Sequence, residues 1–190
     1  MLNKFMQFTH YYENCIFGYV VDFFENNPNV DMIYGGCNIV DVDGKYLYRF
    51  EEGYGFKTCK IKGYEIFNYE TLINVYSGLI PQQSVFFRRS IFKKIGYLDE
   101  SYNFTMDYEY WLRIGKLFNI VRVDKVLANF RTHIGAKTNF KNRLYFIKES
   151  FRARRKHGGK IIATINAYEF SMFLKTILKI ILIKCRVVKI

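Results

Sequence analysis

The chain has 190 residues, 50% of them hydrophobic and 19% aromatic, so it can bury one core and is too apolar for an intrinsically disordered segment. Lys and Arg number 29 against 17 Asp and Glu, and the formal net charge of +12 favours anionic partners such as phosphates, anionic lipid or nucleic acid without choosing among them. The four cysteines, Cys15, Cys37, Cys59 and Cys185, form no Cys-x-x-Cys pair and have no histidine at a ligand spacing, which argues against a zinc site or a disulfide framework and for reduced thiols in a cytosolic setting.

The first residues, Met1-Leu2-Asn3-Lys4-Phe5, lack the charged-then-apolar pattern of a signal peptide, so export is not expected. Spacing predicts an amphipathic helix over residues 17–25, a buried strand over 32–34 and a hairpin over 39–48 about Asp43-Gly44, whose small turn residues accept positive φ. Residues 64–75 have helical spacing at Tyr64, Phe67 and Thr71-Leu72, and residues 84–87 read as an apolar strand. Ser90 is placed to cap a short helix over 91–95 that Gly96 stops. Another helix starts near Asp107 with Thr105 as its N-cap, and short strands follow over 120–123 and 126–131. Strands alternating with helices predict an α/β sheet with helices packed on it. No repeat and no Gly/Ser-rich linker divides the first 140 residues, and the two prolines are Pro28 and Pro81.

Beyond residue 140 the character changes. Arg152, Arg154, Arg155, Lys156, His157 and Lys160 form a basic cluster, and an apolar stretch over 161–190 is interrupted by lysines and Arg186. At about 100° per residue, Lys175, Lys179, Arg186 and Lys189 share one stripe, with Phe173, Ile177, Ile180 and Leu182 largely away from it. Such a tail is too interrupted to span a bilayer; it either lies on an anionic membrane surface or packs against the rest of the protein.

The run Asp107-Tyr108-Glu109-Tyr110-Trp111-Leu112-Arg113 puts two carboxylates at the start of a helix whose later residues are built for burial, Trp111 among them. Asp107 falls in the first turn, where backbone N–H groups favour an anion, and a carboxylate beside an apolar wall is a candidate general base. The alternative is that Asp107 only supports the helix start and Glu109 only pairs with Arg113 at i,i+4.

In the order Ser84-Val85-Phe86-Phe87-Arg88-Arg89-Ser90, a short helix, Gly96-Tyr97-Leu98-Asp99-Glu100 and then the Asp107 run, the chain closely resembles the acceptor-side half of family-2 glycosyltransferases of the GT-A fold. The resemblance includes Asn26-Asn27-Pro28-Asn29-Val30-Asp31 with the strand after it, Asp41-Val42-Asp43-Gly44-Lys45, and Phe130-Arg131-Thr132-His133, so it covers residues 17–138. It implies a partial GT-A (Rossmann-like) α/β domain over residues 1–140, followed by a basic amphipathic helical tail over 141–190. The family's nucleotide-binding strand–helix units and its metal-holding acids are missing; Thr9-His10 stand where those acids are expected.

The resemblance implies an inverting transferase, truncated or split, that passes a sugar from a nucleotide-sugar to a glycan or lipid-linked acceptor in surface polysaccharide assembly. Asp107 would be the base and Glu109 would orient the acceptor or the helix. Gln82 and Gln83 would face the sugar, and His133 matches a position near the metal or diphosphate. The cofactor implied for the intact enzyme is a divalent metal, Mn²⁺ or Mg²⁺. Arg88 reads either as a phosphate contact or as a solvated strand end. Expected partners are a donor-binding chain and an anionic membrane surface at the inner face of the plasma membrane, with no nucleic acid. The competing reading is a non-catalytic remnant or an interaction subunit completed by another chain.

Overall fold

The computed structural model describes residues 10–12, 15–50, 59–61, 64–66, 69–74, 80–132, 142–159, 174–175 and 177–178. Along the chain lie β1 (His10–Tyr12), α1 (Ile16–Asn26), β2 (Met32–Val40), β3 (Tyr46–Arg49), β4 (Cys59–Ile61), β5 (Tyr64–Ile66), α2 (Tyr69–Asn74), a 3₁₀ turn (Gln82–Ser84), β6 (Val85–Phe87), α3 (Ser90–Ile95), α4 (Met106–Leu117), β7 (Ile120–Arg131) and α5 (Arg143–Lys156).

A parallel pair, β2 and β7, forms the middle of a seven-stranded sheet. Both strands change outer neighbours halfway. Met32, Ile33 and Tyr34 of β2 pair with β6, whereas Asn38 to Val40 pair with β3; on the other side β7 pairs with β5 at Val121 and Arg122 and with β1 at Ala128 to Phe130. All four outer strands are antiparallel to the central pair. Burial on both faces explains why β2 is almost continuously apolar instead of alternating.

The switch is made at a bulge. Tyr34 pairs with Arg122 but Gly36 pairs with Val126, so β7 carries extra residues there, and Asp124 and Lys125 are exposed. These polar residues divide the apolar pattern, which is why the sequence reads as two strands where β7 is one. Gly35 lies at the same point: a Cβ on it would come within 2.4 Å of the Lys125 carbonyl oxygen and 2.5 Å of Leu127 Cγ, so only glycine fits.

Helices cover both faces. Ile16, Val20 and Phe23 of α1, at i, i+4 and i+7, pack with Ile33, Val121, Val123 and Leu127. On the other face Met32 and Tyr34 meet Leu72 and Ile73 of α2, Ile91 of α3, Ala153 of α5 and the Tyr108, Trp111, Leu112 and Ile114 row of α4. The mixed α/β architecture expected from the alternation of elements is present, and Trp111 is in the core as its spacing implied.

Three local expectations change. Residues 64–75 are not one helix: Tyr64–Ile66 is drawn into the sheet by pairing with β4 and β7, and the helix begins at Tyr69. Ser90 is the first residue of α3 and caps nothing; the helix follows Arg89 and ends at Gly96, whose φ of 74° suits the left-handed stop. Residues 142–159, assigned with the tail, pack as α5 against α4 and share its core through Ala153. The hairpin turn is as expected, with Gly44 at φ 85° and Asp41 Oδ1 accepting from the backbone N–H groups of Asp43 and Lys45. Of the proposed helix over 161–190, only 174–175 and 177–178 fall within the described residues; they are helical, with Leu174 and Leu178 exposed. Among the described residues no helix is long and apolar enough to cross a membrane.

Candidate active site

The first two turns of α4 place two carboxylates in opposite surroundings. Thr105 occupies the N-cap position, but its side chain makes no capping bond to the helix; its hydroxyl lies 3.4 Å from Glu149 Oε2 on α5. Asp107 takes over part of the capping role, its Oδ1 accepting the Tyr108 N–H at 2.8 Å. Asp107 is half-buried, and the desolvation it meets at the helix start pushes its carboxyl up to about 6, against the opposing pull of the backbone N–H groups of Tyr108 and of Asp107 itself. A carboxylate with that value is largely ionised at neutral pH yet more basic than a solvated one, the compromise a general base needs.

Two residues on, Glu109 is 0% exposed and its oxygens are engaged. Arg113 Nε donates to Oε2 at 3.0 Å, Lys156 Nζ donates to Oε1 at 3.0 Å, and His157 Nε2 lies 2.9 Å from the same Oε1. Burial alone would raise this carboxyl, but the hydrogen bonds from His157 and Lys156 and the Arg113 charge outweigh it and hold the pKa below the ordinary value. Glu109 therefore ties α4 to the end of α5, and the pairing with Arg113 expected from sequence is one part of that junction. With both oxygens engaged in this way, Glu109 braces α4 against α5, in keeping with the helix-orienting one of the two roles expected for it.

Arg113 extends the junction, donating from Nη1 to the Ile95 carbonyl and from Nη2 to the Tyr97 carbonyl, each at 2.8 Å, while the Tyr110 hydroxyl donates to the Gly96 carbonyl at 2.8 Å. The C-terminal carbonyls of α3 are thus fixed by α4.

Arg88 is engaged with backbone oxygens. Its Nε donates to the Val30 carbonyl at 2.8 Å and its Nη2 to the carbonyls of Phe24 at 2.7 Å and Asn27 at 3.3 Å, with the guanidinium 4.9 Å from the Phe24 ring centre. It closes the C-terminal end of α1 and is committed to backbone oxygens, not to phosphate. Gln82 is exposed and Gln83 half-buried on the 3₁₀ turn, whose Ser84 is fully buried with its hydroxyl 2.8 Å from the Gly35 carbonyl. That anchor fixes the turn against β2 and leaves the Gln82 side chain toward solvent. His133 lies outside the described residues, as does Thr9, and of His10 only the backbone in β1 is described.

Sequence reasoning missed how much α5 contributes. Several of its cations are engaged by the protein itself: Arg154 is buried with its guanidinium 6.0 Å from the Tyr108 ring centre, and from exposed positions Arg152 donates to the Ser101 carbonyl at 2.8 Å and Lys156 reaches Asp99 at 2.9 Å as well as Glu109. The signal available in the sequence was the acidic Asp99-Glu100 turn and Glu109 facing a run of basic residues from 152 to 157. Among the described residues no three His, Cys, Asp or Glu side chains converge as a metal site.

No family model matches the chain. It is similar to a Rickettsia bellii (strain RML369-C) protein named an uncharacterized glycosyltransferase, at 30% identity over 108 residues. The similar part covers 57% of this chain and 14% of that protein's length.

Proposed function

We propose that this chain is the acceptor-side part of an inverting glycosyltransferase of the family-2, GT-A type, with Asp107 as its general base. The observation that carries the reading is Asp107 itself, a carboxylate raised to about 6 by burial at the first turn of α4. The similarity to a protein named a glycosyltransferase and the motif order around Asp107 support the reaction class.

In this reading the hydroxyl of an acceptor sugar or lipid-linked glycan sits against Asp107. As its oxygen attacks the anomeric carbon of a nucleotide-sugar, the proton passes to the carboxylate, the bond to the diphosphate breaks with its electron pair leaving on the diphosphate oxygen, and the anomeric configuration inverts. The group contributed here is the base, held by the α3–α4–α5 junction. Gln83, half-buried on the turn before β6, is the residue proposed to contact sugar hydroxyls, with Gln82 beside it. The divalent metal the resemblance implies finds no ligand set among the described residues, so no step is assigned to it. Donor binding is proposed to come from sequence or a partner chain beyond this one, since the similar part covers 14% of the relative.

The test is sugar transfer by the protein in its full natural context, or by this chain joined to a donor-binding half. Asp107→Asn keeps the size and the bond to Tyr108 but removes the basic oxygen, so turnover drops on the order of 10²-fold with donor affinity unchanged. The acid limb of the wild-type rate profile falls with a midpoint near 6, the value given to Asp107. Normal turnover by a folded Asp107→Asn variant means that the base lies elsewhere and that Asp107 only supports the helix start.

For the tail, exposed Leu174, Lys175 and Leu178 on described helical residues support a proposed site at the inner face of the membrane. Salt-sensitive co-sedimentation with anionic vesicles, lost when residues 161–190 are removed, is the expected result.

A further inference from the structure

The segment 99–105 between α3 and α4 contains no helix or strand, yet it fixes where α4 begins. Three consecutive backbone N–H groups in it converge on one carboxylate. Asn103 donates to Glu149 Oε1 at 3.1 Å, and Phe104 and Thr105 donate to Oε2 at 2.8 and 3.1 Å. Successive N–H groups pointing one way form an anion-holding concavity, and bonds from them to an ionised carboxylate are of the stronger, charge-assisted kind. The ends of the same segment are held by α5 too, through Lys156 to Asp99 and Arg152 to Ser101. Its aromatic residues dock on α5 as well: Tyr102 lies under the Arg152 guanidinium at 3.8 Å, and Phe104 stacks on Tyr145 at 5.6 Å with rings 13° apart.

Thr105 performs no capping through its own side chain, so the geometry of α4's first turn depends on these bonds. We infer that Glu149 is a positioning residue for the proposed reaction: its carboxylate, seated on the N–H groups of Asn103, Phe104 and Thr105, sets the turn that carries Asp107. This rests on the reading of Asp107 as the base. It gives α5 a part in the chemistry without any contact between α5 and the substrate.

The decisive variant is Glu149→Gln, which preserves length and shape but replaces one acceptor oxygen with an amide and removes the charge. The probes are amide hydrogen exchange at 103–105 and the titration of the Asp107 carboxyl by carbon NMR, both in the whole chain. The expected result is exchange faster by on the order of tenfold at those amides, with the Asp107 midpoint moving down from about 6 toward its ordinary 3.8 as water reaches the loosened turn. A residue that merely stabilised the fold would leave that midpoint where it is. Glu149→Asp, which keeps the charge but falls short of the three amides, gives a smaller shift in the same direction and serves if the amide variant does not fold. A folded variant with wild-type exchange and a wild-type Asp107 midpoint overturns the inference. Normal turnover by Asp107→Asn would overturn the base assignment alone, while the effect of Glu149 on the Asp107 titration would still be measured.

Discussion

Asp107 and Glu109 are two residues apart on one helix, yet the first carries a cost of ionisation and the second a gain. At Asp107, half-buried, desolvation is opposed only by backbone N–H groups, and the carboxyl rises to about 6. At Glu109 burial is complete but three cationic or ring-nitrogen partners from α4 and α5 converge on it, and the pKa falls. Two carboxylates whose environments push their pKa values apart can take different tasks, and this is the division on which the proposed role of Asp107 rests. The difference comes from tertiary contacts, because local helix position favours both anions equally.

The largest expected departure comes from Glu109. Glu109→Gln leaves Arg113 and His157 facing a neutral group, while Lys156 is half exposed and keeps Asp99, so unfolding by denaturant should show a loss of about 2 kcal/mol. A loss under about 1 kcal/mol would mean that the junction is solvated and the contrast with Asp107 is one of degree.

Asp107→Asn should act in the opposite sense on stability. The folded pKa of Asp107 lies above its unfolded 3.8, so its destabilising effect is absent below that value, grows as pH rises and is complete above about 6. The variant is therefore expected to be more stable than wild type by about 1–2 kcal/mol at pH 7 and equal to it near pH 4, measured by denaturant midpoints across that range. A pH-independent difference would remove the burial explanation.

For Glu109 the sign reverses: its folded pKa is below the unfolded 4.5, so its contribution is present above that value and is lost as pH falls through the folded pKa. Wild-type stability should then decline on acidification below pH 4.5, and the decline should be shallower in Glu109→Gln. The smallest effect is expected from Lys156→Met. With about half its side chain exposed, Lys156 contributes a screened pair with Asp99 and shares Glu109 with two other partners, so the loss should be about 0.5–1 kcal/mol and should shrink at high salt.

Local chemistry made α1, the β2–β3 hairpin, the stop at Gly96 and the burial of Trp111 legible in the sequence, because periodicity and turn residues act within a few positions of themselves. The Glu109–Arg113 pair was legible for the same reason, since i,i+4 neighbours meet on any helix. Asp107 could be singled out by type and position. Its raised pKa could not, because burial depends on what the rest of the chain brings alongside.

What the tertiary structure alone decided is long-range. Tyr64–Ile66 became a strand because β4 and β7 offered it partners, and β7 became one strand because the bulge opposite Gly35 absorbs Asp124 and Lys125. Arg88 turned from a candidate anion contact into a closure for α1 only when residues some sixty positions earlier presented three carbonyl oxygens to it. The basic run of α5 looks in sequence like a surface for external anions, and the fold pairs part of it with Asp99, Glu109 and the segment leading into α4. Residue type sets which charges need partners, but the partners are chosen by packing that brings distant residues within hydrogen-bond reach, and no local pattern encodes that choice.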